Sequence, residues 1–276
     1  MELINIGDCL PFEGEYKLHS AFNSVVNFQN GILLLSVVNE SIGGGPVNIV
    51  VKNADFSKIE TLKISRDYIF INNLLFNKNL FKIYNSTLFF SLVNKVELKN
   101  IINYVIRELL IYSHEKSLTF LFDNERSKYF KTGFDKAFHD TIKTAVSEIY
   151  NNNNMYNGIK MMKGSGTGLT PSGDDFITGL LAALYIYENI TGISSLKKRQ
   201  KIYEIAKGEN YISNTFLYYA AKGFFFERFK NFVISLFLLD EKEISINTKL
   251  VLSIGNTSGA DIITGFLMTL NKLLSK

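Results

Sequence analysis

The residues best suited to chemistry fall in two near-copies of one string. Ser172-Gly173-Asp174-Asp175-Phe176-Ile177-Thr178-Gly179 returns as Ser258-Gly259-Ala260-Asp261-Ile262-Ile263-Thr264-Gly265, an offset of 86 positions. Each string reads as a tight turn feeding a helix. Only the first is preceded by Gly164-Ser165-Gly166-Thr167-Gly168-Leu169-Thr170-Pro171. Glycines let a backbone aim several N–H groups at one point, and a helix start adds the positive end of its dipole. An anion such as phosphate suits that combination.

Ser172-x-x-Asp175 and Ser258-x-x-Asp261 have the spacing of a capping box, in which the serine oxygen accepts from the N–H three residues on and the acidic side chain reaches back. That leaves Asp175 and Asp261 divided between capping and a role in a site. The copies differ informatively: Asp174 is replaced by Ala260, so a helix start does not require it. Gly164, Gly166, Gly168, Thr170 and Pro171 also lack clear counterparts. The expected catalytic residues are therefore Asp174, Asp175, Thr170 and Ser172. The expected anion-binding residues are Gly164, Gly166, Gly168, Gly173, Ser258 and Gly259, with Lys163 as a positive charge.

Magnitudes limit the dipole. One helix terminus gives about 0.3–2 kcal/mol, whereas micromolar affinity needs about 8 kcal/mol, so several N–H groups and a cation must converge. Lys160 and Lys163 can supply charge, though lysines before a loop also read as ordinary solvated side chains. Asp174 and Asp175 would repel a phosphate unless a proton or a divalent cation intervened. Magnesium held by Asp174, Asp175 and Asp261 is one expectation. The glycine run lacks a Gly-Lys-Ser/Thr ending and follows no clear strand, so it is neither a Walker A loop nor a dinucleotide fingerprint. His19, His114 and His139 are scattered, which speaks against a zinc site, and no serine stands in a nucleophile elbow.

Gly179 and Gly265 fall inside their helices, where glycine costs about 1 kcal/mol relative to alanine. A close approach of the two helices would compensate, and would bring both helix starts to one place.

The fold class expected around these motifs is α+β, with a β-rich N-terminal part over 1–94 and a helical part over 95–276. Apolar, β-branched runs at Ala21–Phe28, Ile32–Val38, Val47–Val51, Ile59–Ile64 and Tyr68–Ile71 predict strands, and Gln29-Asn30-Gly31 predicts a hairpin. Gly43-Gly44-Gly45-Pro46 reads as a turn between strands. From about Val96 the period changes to that of helices, with Leu98, Ile101, Ile102, Val105 and Leu109 on one face and Phe138, Ile142, Val146 and Ile149 on another. Asn151–Asn154 reads as a polar loop. Further helices are expected near Phe176–Glu188, Leu196–Lys207, Asn214–Phe225, Arg228–Leu239, Asn247–Ile254 and Asp261–Leu274, with Gly208 and Gly255 as C-terminal stops.

A chain of 276 residues, 46% hydrophobic and 20% charged, can bury a core, and its net charge of +4 is dispersed, with no nucleic-acid footprint. Cys9 is the single cysteine, so no intrachain disulfide forms. The N-terminus lacks a signal-peptide pattern, and the apolar region Phe216–Leu239 is interrupted by charges. A soluble, cytoplasmic protein with no membrane partner is expected.

Leu169-Thr170-Pro171-Ser172-Gly173-Asp174-Asp175 and Gly255-Asn256-Thr257-Ser258-Gly259-Ala260-Asp261 together resemble the AllH family, associated with the oxamate carbamoyltransferase of anaerobic allantoin breakdown, a branch of purine catabolism. The resemblance is clearest from Lys163 through Leu270. It implies a subunit of a hetero-oligomeric carbamoyltransferase that interconverts N-carbamoyl-oxamate plus phosphate with oxamate plus carbamoyl phosphate. The partners implied are the other subunits and a small anionic substrate or phosphate. Two other readings of the residues stay open: a magnesium-dependent hydrolase using the helix-borne carboxylates, and a non-catalytic assembly subunit.

Overall fold

A computed structural model describes residues 1–11, 13–89, 94–150 and 154–275. The chain forms two compact units, Met1–Leu88 with Phe224–Lys230, and Phe89–Gly223 with Asn231–Lys276. The architecture is a curled nine-strand sheet followed by helices.

The first unit contains β1 (Glu2–Gly7), β2 (Gly14–Phe22), β3 (Val25–Asn30), β4 (Leu33–Asn39), β5 (Asn48–Lys52), β6 (Leu62–Ile64), β7 (Tyr68–Ile71), β8 (Leu74–Asn77) and β9 (Lys82–Tyr84). Their order across the sheet is β8-β7-β6-β2-β3-β4-β5-β1-β9. The run Ala21–Phe28, expected as one strand, is split. Phe22 pairs with Val25, so the chain reverses through Asn23 and Ser24 where polar residues interrupt the apolar pattern. The next hairpin forms where Asn-Gly predicts it, but Asn30 pairs with Leu33 and the two turn residues are Gly31 and Ile32. Gly31 supplies the positive φ of 64°. β4 and β5 run parallel, joined through Gly43–Pro46, of which residues 44–46 are buried. Gly44 N–H donates there to the Glu227 carboxylate. A Cβ on Gly45 would lie 2.4 Å from the Phe226 ring. Gly43 and Gly45 therefore serve close packing of Glu227 and Phe226, and Gly44 that of the Tyr84 ring.

The helices are α1 (Lys95–Tyr112), α2 (Gly133–Tyr150), α3 (Met155–Met162), α4 (Ser172–Thr191), α5 (Leu196–Ala206), α6 (Tyr211–Lys222), α7 (Glu227–Leu238), α8 (Glu241–Leu252) and α9 (Ser258–Leu274). α7 begins in the first unit and ends in the second. α3 was not foreseen, because its eight residues are too few for a periodic signal; of the polar run before it, residues 151–153 lie outside the described residues. The expected stops also shift. Left-handed C-caps occur at Gly192 and Gly223, whereas α5 ends at Lys207 and α8 at Ser253. Gly208 instead exchanges both backbone groups with the Asn214 side-chain amide, at 2.8 Å each.

α4 and α9 are the inner pair of the second unit. Every residue from Ser172 to Leu184 in α4 is buried, as is Gly259 to Leu267 in α9. A helix apolar around its circumference must be surrounded by other elements, and α4 packs against α6 and α5 as well as α9. Among the described residues, no helix is long and apolar enough to cross a membrane.

Candidate functional site

The two copies of the helix start do meet, and they meet reciprocally. A Cβ on Gly179 would lie 1.9 Å from the carbonyl oxygen of Ile262, and a Cβ on Gly265 would lie 2.1 Å from that of Phe176. Ile262 is the counterpart of Phe176, so each helix presents the same groove to the same carbonyl of the other, as a local twofold requires. The preceding helices obey the same relation. Gly173 sits against the carbonyl of Met162 at the end of α3, and Gly259 against that of Val251 in α8, each with a virtual Cβ at 1.9 Å. In both copies the threonine after the motif donates one turn back, Thr178 to the Asp174 carbonyl and Thr264 to that of Ala260.

Neither capping box forms. The N-caps are Pro171 and Thr257, neither making a side-chain cap bond, and Ser172 and Ser258 are the first helical residues. From that position each serine hydroxyl crosses to the aspartate of the opposite helix, Ser172 toward Asp261 and Ser258 toward Asp175. The i to i+3 spacing was read within one helix, whereas the pairing is between helices.

The result is a buried polar centre. Asp175 Oδ2 accepts from Thr170 Oγ1 at 2.9 Å, and the same hydroxyl lies 3.0 Å from Ser258 Oγ. Asp261 Oδ1 accepts from the backbone N–H of Leu118 at 2.6 Å. Asp261 Oδ2 is buried with no partner in hydrogen-bonding geometry; the Ser172 and Thr257 hydroxyls lie near the Asp261 carboxyl. Burial opposes charge here. It pushes Asp261 up to about 7. Asp175 is raised well above the usual carboxylate range, first by burial and then by the charge of Asp261. Near neutrality the pair therefore retains a proton.

Asp174, 5% exposed, faces elsewhere. Its Oδ1 accepts from Gly164 N–H at 2.8 Å, tying the start of the glycine loop to α4. Burial raises this carboxyl, opposed by the Gly164 N–H, by Ser213 and by the charge of Lys163. The Ser213 hydroxyl is buried near Asp174 without a partner in bonding geometry. Ser213 lies in the first turn of α6, where Asn210 Oδ1 accepts its N–H at 3.0 Å. Asn210 also donates to the Leu169 carbonyl at 2.7 Å, holding the far end of the loop.

Between these anchors the loop turns through Gly164, Gly166 and Gly168, with φ of 69°, 109° and 112°, values open mainly to glycine. A Cβ on Gly166 would also lie 2.9 Å from the backbone nitrogen of Ser172. Among the described residues, no protein acceptor takes the N–H groups of Gly166, Thr167 or Gly168. Other amides expected to face a ligand are spent: Gly164 on Asp174, Gly173 on the Ser165 carbonyl at 2.9 Å, and Gly259 on that of Ile254 at 3.1 Å. Lys163 Nζ donates to the carbonyls of Ile205 and Lys207 at the end of α5. Thr170, Asp175, Ser258 and Asp261 are thus brought together, with Ser172 beside Asp261, while Asp174 and Gly164 form a separate anchor.

Residues 162–270 match the family model of oxamate carbamoyltransferase subunit AllH. No solved structure matches the chain. The stretch matching AllH opens at Met162, the residue whose carbonyl receives Gly173, and runs to Leu270 in α9. It holds both copies of the motif, the glycine loop and the Asn210–Ser213 anchor. Leu118, whose N–H binds Asp261, lies outside it. Asn210 and Ser213 were missed in the sequence, although an Asn three residues before a Ser at a helix start is a capping signal. The backbone of Leu118 carries no sequence signal at all. The carboxylates of Asp174, Asp175 and Asp261, expected to share a magnesium ion, turn to different partners. Among the described residues, no group of three His, Cys, Asp or Glu side chains is placed to hold a metal.

Proposed function

We propose that this chain is the subunit of a carbamoyltransferase that acts on N-carbamoyl-oxamate and phosphate, giving oxamate and carbamoyl phosphate, and that phosphate binds on the glycine loop. One juxtaposition carries this reading: N–H groups of Gly166, Thr167 and Gly168 with no protein acceptor stand beside Thr170, whose hydroxyl donates to Asp175, the buried carboxyl that Asp261 helps to raise. The match of residues 162–270 to the family model of oxamate carbamoyltransferase subunit AllH supports this choice of reaction.

In the forward step a phosphate oxygen attacks the carbamoyl carbon, forming a C–O bond. The C–N bond to the oxamate nitrogen breaks, and that nitrogen takes up a proton. Loop N–H groups hold the phosphate or stabilise the oxygen that gains charge, a kind of contact worth about 10²–10³ in rate. Asp175 gives that proton in this scheme and regains one from the attacking hydrogen phosphate, with Thr170 Oγ1 as the link to the loop. Asp174 acts as a positioning residue, fixing the loop through Gly164 N–H. The remaining subunits complete the site and are required for turnover.

The test is to purify the chain together with its partner subunits and follow carbamoyl transfer from carbamoyl phosphate to oxamate and the phosphate-dependent reverse. Thr170→Val and Asp174→Asn should each lower kcat at least about 100-fold with the complex intact. Undiminished activity in both variants, or full activity of the partners alone, overturns the reading.

A further inference from the structure

The far ends of α4 and α9 frame a second feature. A cavity of about 540 Å³ is lined by Tyr150, Tyr156, Lys197, Lys198, Lys201 and Lys272, with Leu184 of α4 and Thr269 of α9 also in its wall. Leu184 stands twelve residues beyond Ser172 and Thr269 eleven beyond Ser258, so at 1.5 Å per residue the cavity lies roughly 17 Å along both helices from the glycine loop. The two places are distinct.

Four lysines and no aspartate or glutamate line this cavity. Among the described residues, no ion pair engages Lys197, Lys201 or Lys272, and the nearby Glu188 is committed to Arg199 at 2.9 Å. Lys197 also occupies the first turn of α5, which has no acidic residue there and no side-chain cap bond. Positive charge at the positive end of a helix dipole is unfavourable, so the arrangement costs stability unless an anion neutralises it. The remaining wall is aromatic and apolar. Tyr150 is fixed by its hydroxyl, 2.6 Å from Thr269 Oγ1, and the Lys201 ammonium lies 4.1 Å over the Tyr156 ring.

We propose that this cavity binds a nucleoside polyphosphate, with the phosphates among the lysines and the base and sugar against the tyrosines and aliphatic wall. Its volume falls in the range of sites for ligands of about 300–1,000 Å³ and far exceeds the size of inorganic phosphate. Lys197, Lys201 and Lys272 together call for more than one negative charge, and the rings give a planar group something to stack on. This inference does not depend on the carbamoyl-transfer reading.

Calorimetric titration of the full chain with ATP, with tripolyphosphate and with inorganic phosphate, at low and physiological salt, tests it. ATP should bind most tightly. The double variant Lys201→Ala, Lys272→Ala should weaken ATP at least tenfold, and Tyr156→Ala should weaken ATP while leaving tripolyphosphate unchanged. Asp174→Asn, which alters the glycine loop, should leave ATP affinity unaltered. Absence of ATP binding, or equal binding by the lysine double variant with unchanged Tm, overturns the proposal. Tripolyphosphate binding as tightly as ATP overturns the nucleoside part of it.

Discussion

The two copies of the helix start share a frame and differ in what is mounted on it. In both, a glycine seats the new helix on the carbonyl of the preceding one, a second glycine seats it on its twin, and a serine hydroxyl lies near the opposite aspartate. The connections differ. Nine residues, 163–171, join α3 to α4, with three glycines at positive φ; five residues, 253–257, join α8 to α9, with one. Asp174, which anchors the longer loop, is matched by Ala260 in the shorter copy. What is common is therefore scaffold, and what the first copy has in excess is the part free to meet a ligand.

The strongest way to break the comparison is at the paired glycines. Alanine at Gly179 or Gly265 would place a methyl about 2 Å from a backbone carbonyl that cannot rotate away, so α4 and α9 must separate. Overpacking typically costs 1–3 kcal/mol, and a backbone obstacle puts both variants near the upper end, about 3 kcal/mol each, despite alanine's better helix propensity. Urea midpoints should fall by similar amounts in the two variants. If one falls sharply and the other does not, the twofold relation does not extend to the energetics.

Next in size is the pH dependence of the carboxyl pair where the copies join. Asp261 has a folded value of about 7, against about 3.9 for an unfolded aspartate. Between these values the folded chain holds a proton that the unfolded chain has released, so stability is greatest below about pH 4 and declines as pH rises through 7. At about 1.4 kcal/mol per unit, the loss between pH 5 and pH 8 is on the order of 2–4 kcal/mol. Asp55 and Asp135, each lowered to about 2, titrate below this window and do not mask it. Asp261→Asn keeps an acceptor for Leu118 N–H and cannot ionise, so its loss of stability between pH 5 and 8 should be smaller than the parent's, the remainder belonging to Asp175, whose carboxyl burial also raises. An equally steep loss in that variant would place the proton elsewhere.

This pair also marks the limit of what could be read from the chain. The duplication, the interior glycines and the asymmetry at Asp174 are all properties of residue types at fixed spacing, and from them the meeting of α4 and α9 followed. The serine-aspartate pairing did not follow, because the same i to i+3 spacing serves a cap within one helix and a crossing between two, and only the starting residue of each helix decides. The fates of the Gly164, Gly173 and Gly259 amides depend on carbonyls and a carboxylate brought close by folding. In the sheet, β1, most of β2, β8 and β9 went unread; β2, β8 and β9 contain no buried residue and so present no apolar face to read.

A smaller effect tests the crossing itself. Ser172→Ala and Ser258→Ala each remove one hydroxyl facing a buried carboxyl of the other helix, a change worth about 1 kcal/mol. If the serines cross, each should couple in a double-mutant cycle with the aspartate of the other copy, Ser172 with Asp261 and Ser258 with Asp175. Coupling within a copy instead would restore the capping boxes.

The smallest effect on stability belongs to the substitution that separates scaffold from site. Replacing residues 163–171 by the shorter connection Ser253-Ile254-Gly255-Asn256-Thr257, together with Asp174→Ala, makes the first copy resemble the second. The closure entropy of a loop changes only about 0.6 kcal/mol per doubling of length, and removing Asp174 with its Gly164 partner leaves no buried carboxylate unpaired. Thr170 is lost as well, so Asp175 gives up one hydroxyl and keeps the Ser258 neighbour. The net change should stay within about 2 kcal/mol, read by the urea midpoint, while phosphate-dependent carbamoyl transfer in the assembled complex disappears. A grafted chain that folds and still supports transfer would mean that the nine-residue loop is not where the two copies diverge in function. A chain that no longer folds would mean that the loop belongs to the frame after all.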